Sequence, residues 1–295
     1  MSELLFEIGC EELPASYAMN ALAALPAIVA RELSERGLKI EERAVRVAGT
    51  ARRLAVGIAS LPETTPKSTR VVSGPPKQAA YKDGKPTPAA EGFAQKNGVT
   101  VDKLITVKDE KGGERIAVEL QEGGRNTSDV LAEALPKVIE GIPFPKSMRW
   151  ASMEFKFARP VRWLVASFGG KAVPFSWGGC TAGLASHGHR FLAPGPVAVK
   201  TWADYESALE KAHVVVDPAK RKARTKEMAE KAAIAAGGVL EHDEALLDTV
   251  SFLVEEPHPV TGTFDERLLT LPKEVIVTPM KHHQRYFPVV DGSGA

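Results

Sequence analysis

Eight residues, 161–168 (VRWLVASF), form a nearly continuous apolar run of strand length, and they constrain the chain more than any other segment. A run this short and this apolar fits a strand buried inside a sheet. Gly169 and Gly170 follow as a hairpin turn into residues 172–177, where Pro174, lacking an amide donor, argues for a sheet edge. A buried β core is therefore expected here.

Other segments supply what can pack on that core. Residues 4–8 read as a short apolar strand broken at Gly9, with Glu11 to Pro14 turning into a helix. In that helix, residues 16–36, Ala18, Leu22, Leu25, Val29 and Leu33 recur at helical spacing, Pro26 is expected to kink it, and Gly37 suits a left-handed end. Residues 45–60 read as two strands around 49–53, and residues 115–120 as another. Residues 73–88, rich in Gly, Pro, Lys and Ala, are expected to be an irregular, exposed loop. Residues 127–140 form a helix with Leu131, Ala134, Leu135 and Val138 on one side, bent at Pro136. Farther on, helices are expected at 203–212 and 218–236, separated by an apolar strand at 214–216. The second should turn Met228, Ala229, Ala232, Ala233 and Ala236 inward and leave its lysines and arginines outside. The closing residues 291–295 are a turn signal with no element after it, so more chain is expected to follow. The fold class is α+β, with mixed or antiparallel sheets, flanking helices and two or more subdomains. The expected division is an N-terminal α+β region, 1–145, and a basic β core followed by a helical region, 146–295.

No run of about 18 uncharged apolar residues occurs, and the start lacks a basic-then-apolar leader, so neither membrane insertion nor secretion is expected and the cytoplasm is the default location. Cys10 and Cys180 stand alone, outside any CxxC or Cys/His cluster, and read as reduced thiols without structural zinc. The net charge of +1 hides local imbalance. Between residues 146 and 191, Lys146, Arg149, Lys156, Arg159, Arg162, Lys171 and Arg190 face only Glu154. Residues 219–236 are also basic, with Lys220, Arg221, Lys222, Arg224, Lys226 and Lys231 against Glu227 and Glu230. Either stripe alone can be a solvated charged face; local basic stripes on a nearly neutral protein also suit contact with a polyanion.

Familiar catalytic patterns are missing. There is no GxxxxGK[ST] to cradle phosphates, no GxGxxG after a strand and no GxSxG elbow. His187 and His189 flank a glycine, and His282 and His283 are adjacent, yet neither pair has the spacing of converging zinc ligands. In the turn Ser186-His-Gly-His-Arg190 the imidazoles suit either a phosphate or 2′-hydroxyl contact or a capped turn with packed rings. Of Arg52 and Arg53, at the start of a strand, at most one can face solvent freely; a buried one must pair with a carboxylate such as Glu7, Glu11 or Glu12. Glu11 and Glu12 are adjacent on a turn, have no nucleophile beside them, and are assigned no catalysis. The strongest binding signal is residues 145–150 (PKSMRW) with 157–163 (FARPVRW), where cations alternate with aromatics. Arginine can grip phosphate bidentately while tryptophan stacks on a base; the alternative is a core tryptophan covered by arginines through cation–π contact.

Taken together, residues 6–14 (FEIGCEELP), 51–55 (ARRLA), Gly74-Pro75, 90–94 (AEGFA), 145–150, 157–163, 188–191 (GHRF) and 283–288 (HQRYFP) follow one order along the chain. That set resembles the β subunit family of bacterial heterotetrameric glycyl-tRNA synthetase over essentially the whole chain. The resemblance implies an α₂β₂ glycine–tRNA ligase that uses ATP and Mg on the α subunit, where the class II adenylate-forming site lies. The chain itself would hold no cofactor, no metal and no catalytic residue, and its partners would be the α subunit and tRNA(Gly), with no membrane. In the family the β subunit continues through an HD-like region to a C-terminal anticodon-binding domain, both absent from these residues. Part of its architecture is similar to tRNA-gripping domains of archaeal CCA-adding enzymes, which implies contact with the acceptor arm or elbow. Three residues depart from the usual pattern: Cys10 for Thr or Ser, Ala51 for Pro, and Pro279 within the expected helix before His283.

The residues expected to meet nucleic acid are Lys146, Arg149, Arg159, Arg162, His187, Arg190, Lys220, Arg224 and Arg285. One rival reading is a protein-interaction scaffold docking the α subunit and the remaining β domains without tRNA contact. Another is a free-standing, hydrolytic enzyme using His187, His189 or His283.

Overall fold

The computed structural model describes residues 1–109, 112–151 and 154–291. The turn signal expected at 291–295 lies, beyond Asp291, outside the described residues. The chain separates into two compact units, Met1–Glu63 with Thr127–Ala295, and Thr64–Asn126.

The first unit is built on a sheet with seven strands among the described residues. β1 (Ser2–Cys10), β2 (Val45–Thr50), β3 (Arg53–Leu61) and β4 (Val161–Phe168) lie in the spatial order β2-β3-β1-β4, each antiparallel to its neighbour. β5 (Lys171–Ala172) folds back on β4, and β6 (Ser176–Trp177) pairs with β7 (Cys180–Gly183), which joins β4 in parallel. The apolar run is therefore interior to a mixed sheet, as its composition requires. The sheet takes strands from both sides of residue 145.

Alternation along the strands gives the sheet two buried faces. One face, with Leu4, Phe6 and Ile8 of β1, Leu54 and Val56 of β3, and Leu164 of β4, packs on α1 (Ala15–Ser34) and α2 (Thr127–Gly141). Those helices present Leu22, Leu25, Val29, Leu131, Leu135 and Val138 to it. Both run through their prolines, Pro26 and Pro136. The other face, with Leu5, Ala55, Trp163 and Val165, is covered by α3 (Trp202–Lys211) and the residues around it, including Trp202, Tyr205, Val214 and Val216. The result is helix, sheet and helix in three layers, an α+β architecture of the expected class. α4 (Pro218–Ala235) and α5 (Glu244–Ser251) follow, α4 capped by Asp217, whose carboxylate accepts from the amides of Ala219 and Lys220. Among the described residues no helix is long and apolar enough to cross a membrane.

The second unit is a three-stranded antiparallel sheet, Ser68–Pro76, Glu114–Glu122 and Leu104–Lys108 in that order, packed by the helix Pro88–Lys96 around Ala80, Ala90 and Ile116. It overturns the expectation of a loose loop at 73–88. A strand runs to Pro76, a helical turn spans Lys77–Ala80, and a tight hairpin joins Tyr81–Lys82 to Lys85–Pro86. Small residues here serve close approach rather than mobility: a Cβ on Gly74 would sit 2.9 Å from the Phe93 ring.

Three further expectations change. β1 does not break at Gly9; it runs to Cys10, with only its register against β4 shifting there. A Cβ on Gly9 would lie 1.9 Å from an atom of the Trp163 indole, so glycine is what lets that ring cross the strand. Residues 214–216 are a buried connection rather than a strand; the Gly49 amide of β2 donates to the Val216 carbonyl at 3.0 Å. Finally, α4 does not keep all its cations outside, because Arg221 is fully buried.

Candidate nucleic-acid interface

The arginines of the sequence fall into two physical classes, beginning with those that are buried. Arg53 opens β3 on the sheet face that carries Glu7, and its side chain is wholly removed from solvent. Its Nε donates to Glu255 at 3.0 Å, and its Nη1 donates to the His187 carbonyl at 2.7 Å and to Ser186 Oγ at 3.2 Å. Glu7 lies 3.9 Å away and accepts from Ser186 Oγ at 2.8 Å and from the Trp163 indole N–H. Thr50 Oγ1 donates to Glu255 at 2.6 Å. Burial works against charge on Arg53, but Glu255 and Glu7 more than offset it, so its pKa is raised. Arg221 is held by the carbonyls of Ser251 and Val215, both at 2.6 Å, and burial pushes it down to about 10. The buried partner expected for Arg53 was Glu7, Glu11 or Glu12; Glu7 belongs to the network, while the closest carboxylate, Glu255, lies 202 residues along the chain where no local pattern marks it.

The second class is exposed. Paired backbone bonds join Met148 to Phe157, at 2.8 and 3.2 Å. The aromatics near this pairing are packed: Phe157 meets Phe144 edge-on at 4.8 Å, Phe155 meets Trp177 at 5.1 Å, and Trp150 meets Trp177 at 6.2 Å. Trp150 is thus a half-buried packing residue, and Phe155 keeps 40% of its surface. The cation–π cover of a core tryptophan does occur, but on Trp163, from Arg52 at 5.7 Å and Arg53 at 5.4 Å rather than from the motif's own arginines. With the rings turned inward, Lys146, Arg149 and Lys156 are exposed, and none of them has a carboxylate partner among the described residues.

The remaining expected residues are spread more widely. Arg159 is half-buried and donates to the Ala158 carbonyl at 2.9 Å. Exposed Arg162 lies 3.5 Å from Glu11, and Arg190 is gripped by Glu11 at 2.6 Å and Glu12 at 3.1 Å, so the adjacent carboxylates serve as counter-ions. Lys220 pairs with Glu210 at 2.7 Å and Arg224 with Glu256 at 3.3 Å. The His187 ring packs on Trp163 with centroids 4.7 Å apart, and burial lowers its pKa. Arg285 is exposed in a left-handed conformation after the π-helical turn Met280–Gln284, which succeeds the short helix Lys273–Pro279 at the proline expected to disturb it. The structure therefore sets Arg149 and Lys156 beside the Met148–Phe157 pairing with Lys146 just before it in the chain, and leaves α4 and Arg285 apart in sequence and element.

Nothing in the described residues assembles a metal centre from three or more His, Cys, Asp or Glu side chains. Burial pushes up the thiols of both Cys10 and Cys180, which works against thiolate formation.

A family model described as glycyl-tRNA synthetase beta subunit matches residues 4–295. The chain is 45% identical over 293 residues to the glycine–tRNA ligase beta subunit of Trichlorobacter lovleyi, covering 99% of this chain and 42% of that protein. The subunit of Geobacter metallireducens is 43% identical over 295 residues, covering 100% and 43%, and that of Myxococcus xanthus 45% identical over 293 residues, covering 99% and 41%. The chain spans less than half the length of these relatives. The match runs through every motif described above, and the chain belongs to the glycyl-tRNA synthetase beta subunit family.

Proposed function

We propose that this chain is the tRNA-handling and assembly portion of a glycine–tRNA ligase, the enzyme that joins glycine to tRNA(Gly) with ATP and releases AMP and diphosphate. Adenylate formation belongs to a separate α subunit in an α₂β₂ assembly, in the cytoplasm, with ATP and Mg bound there. The observation that carries the reading is the exposed cation set Lys146, Arg149 and Lys156 in a chain matched to this family from end to end. Cations without counter-ions displace condensed ions from a phosphate backbone at no cost in broken ion pairs. Arg162, Arg190, Lys220 and Arg224 would each have to leave a carboxylate first.

Lysine labelling of the full-length subunit assembled with α tests the reading. Bound tRNA(Gly) is expected to protect Lys146 and Lys156; equal labelling with and without tRNA overturns it. Glycyl-tRNA made by the full-length subunit without α would likewise overturn the assignment of catalysis.

A second reading, docking of protein partners, is favoured by one feature. Val260, Leu269 and Val275 are 90%, 65% and 54% exposed, in a stretch that buries little. Co-purification with α that is lost on replacing these three, with no tRNA protection at 146–156, would make the chain a scaffold.

A further inference from the structure

An open cleft of about 180 Å³ lies where Arg52 meets the turn after Ser186. Its chemistry comes from Arg52, His189, Arg190, Phe191, Glu12 and Glu256. Arg52 is set by the Trp163 ring, 5.7 Å from its guanidinium carbon, and its Nε is buried without a hydrogen-bond partner. Among the described residues no carboxylate pairs with it. His189 Nδ1 accepts from the amides of Phe191 at 3.3 Å and Leu192 at 3.2 Å. An accepting nitrogen carries no proton, so the ring proton sits on Nε2, which becomes a donor of fixed direction. The charge of Arg190 is already matched by Glu11 and Glu12. Phe191 is 78% exposed, far more than a phenylalanine needs for packing.

We propose that this cleft seats one unstacked nucleotide of a single-stranded RNA segment. The base stacks on Phe191, the phosphate meets Arg52 and the Nε2–H of His189, and amino groups of the base face Glu12 and Glu256. The inference rests on the RNA-handling reading above and names a place for it apart from Lys146, Arg149 and Lys156. Size supports a polymer, since free small-molecule sites usually offer roughly 300–1,000 Å³, and this cleft holds one base with its chain left in solvent. Hydrogen bonding favours a nucleotide over an acidic peptide: Glu12 and Glu256 on the wall keep acceptor sites beyond their bonds to Arg190 and Arg224, and a base brings donors for them that an acidic side chain lacks.

The test uses the full-length subunit assembled with α, titrated with labelled pentacytidylate, with an abasic pentamer of the same phosphate count, and with hexaglutamate. Pentacytidylate is expected to bind about ten-fold tighter than the abasic pentamer, the value of one base stack. Phe191→Ala should remove that difference and Phe191→Trp restore it; Arg52→Gln should weaken both pentamers. Phe191 is exposed, so its replacement leaves folding untouched and keeps the inference open to refutation even where Arg52→Gln disturbs Trp163. Equal binding of the two pentamers, no change with Phe191→Ala, or a preference for hexaglutamate overturns the inference. Phe191→Ala without effect, beside a triple variant (Lys146→Ala, Arg149→Ala, Lys156→Ala) that weakens whole tRNA, sinks the cleft and leaves the RNA-handling reading standing. The reverse pattern supports the cleft and removes those three cations from the interface.

Discussion

The two faces of the central sheet are buried to a similar degree and held by different physics. Toward α1 and α2 the packing is carried mainly by Leu, Ile, Val, Phe and Ala, and the buried Glu32 of α1 pairs on its own helix side with Arg31 and Arg36. Toward α3 the same strands bury Glu7, Arg53 and Glu255, together with Ser186, Thr50 and the indole of Trp163. Apolar burial is non-directional and tolerates repacking. A buried ion network stabilises the fold only while every partner is in place, and in return it fixes which segments meet. Here the meeting segments are β1, β3, the turn at 186–187 and the 255 region, drawn from almost the whole length of the unit. An arginine in a sequence is therefore not a nucleic-acid contact by default: Arg53 and Arg221 are buried in the fold, while Arg149 is exposed.

The sharpest way to break the comparison is Arg53→Met, which leaves Glu7 and Glu255 buried without their cation. Urea unfolding should show a loss of about 3–5 kcal/mol, with part of it recovered when Glu7→Gln and Glu255→Gln are added. A loss below about 1 kcal/mol would mean water reaches the network and the two faces do not differ. Gly9→Ala comes next. Its methyl meets the Trp163 ring that donates to Glu7, so a cost of about 1–3 kcal/mol is expected, with a change in tryptophan fluorescence; a neutral substitution would show that the ring has room to move.

Smaller still is the effect of pH. His187 has a lowered pKa because it is buried, so between that value and the unfolded value near 6.5 the unfolded chain binds more protons. Its contribution to stability is therefore complete above about pH 6.5 and is lost as pH falls toward the folded value. In His187→Gln the stability should fall less on moving from pH 7 to pH 5, and an unchanged profile would show that the imidazole titrates as freely folded as unfolded.

Much of this architecture can be read along the chain where the cause is local. The strand at 161–168, the helix at 127–141 and the paired strands at 45–61 each carry their own periodicity or apolar run. What could not be read locally depends on distant partners. Gly9 looks like a strand breaker until Trp163 is laid across it, and residues 73–88 look like a loop until Phe93 and Ile116 cover Gly74 and Ala80. The candidate interface was half legible for the same reason. Basic and aromatic residues alternate plainly in 145–163, but only the fold shows that the rings turn inward, that Lys156 joins Lys146 and Arg149, and that Glu11 and Glu12 neutralise Arg162 and Arg190. The cleft at Arg52 had no signal beyond the GHRF motif, because Phe191 is informative only once its exposure is known.

The division between structural and binding cations is tested most directly by the salt dependence of tRNA(Gly) affinity in the full-length α and β assembly, with and without Lys146→Ala, Arg149→Ala and Lys156→Ala together. Each exposed side chain should cost less than about 0.5 kcal/mol of stability, so the fold stays intact while affinity drops and the slope of log K against log salt flattens by roughly two to three. An unchanged slope at unchanged stability would contradict the account and show that these three cations never touch the phosphate backbone.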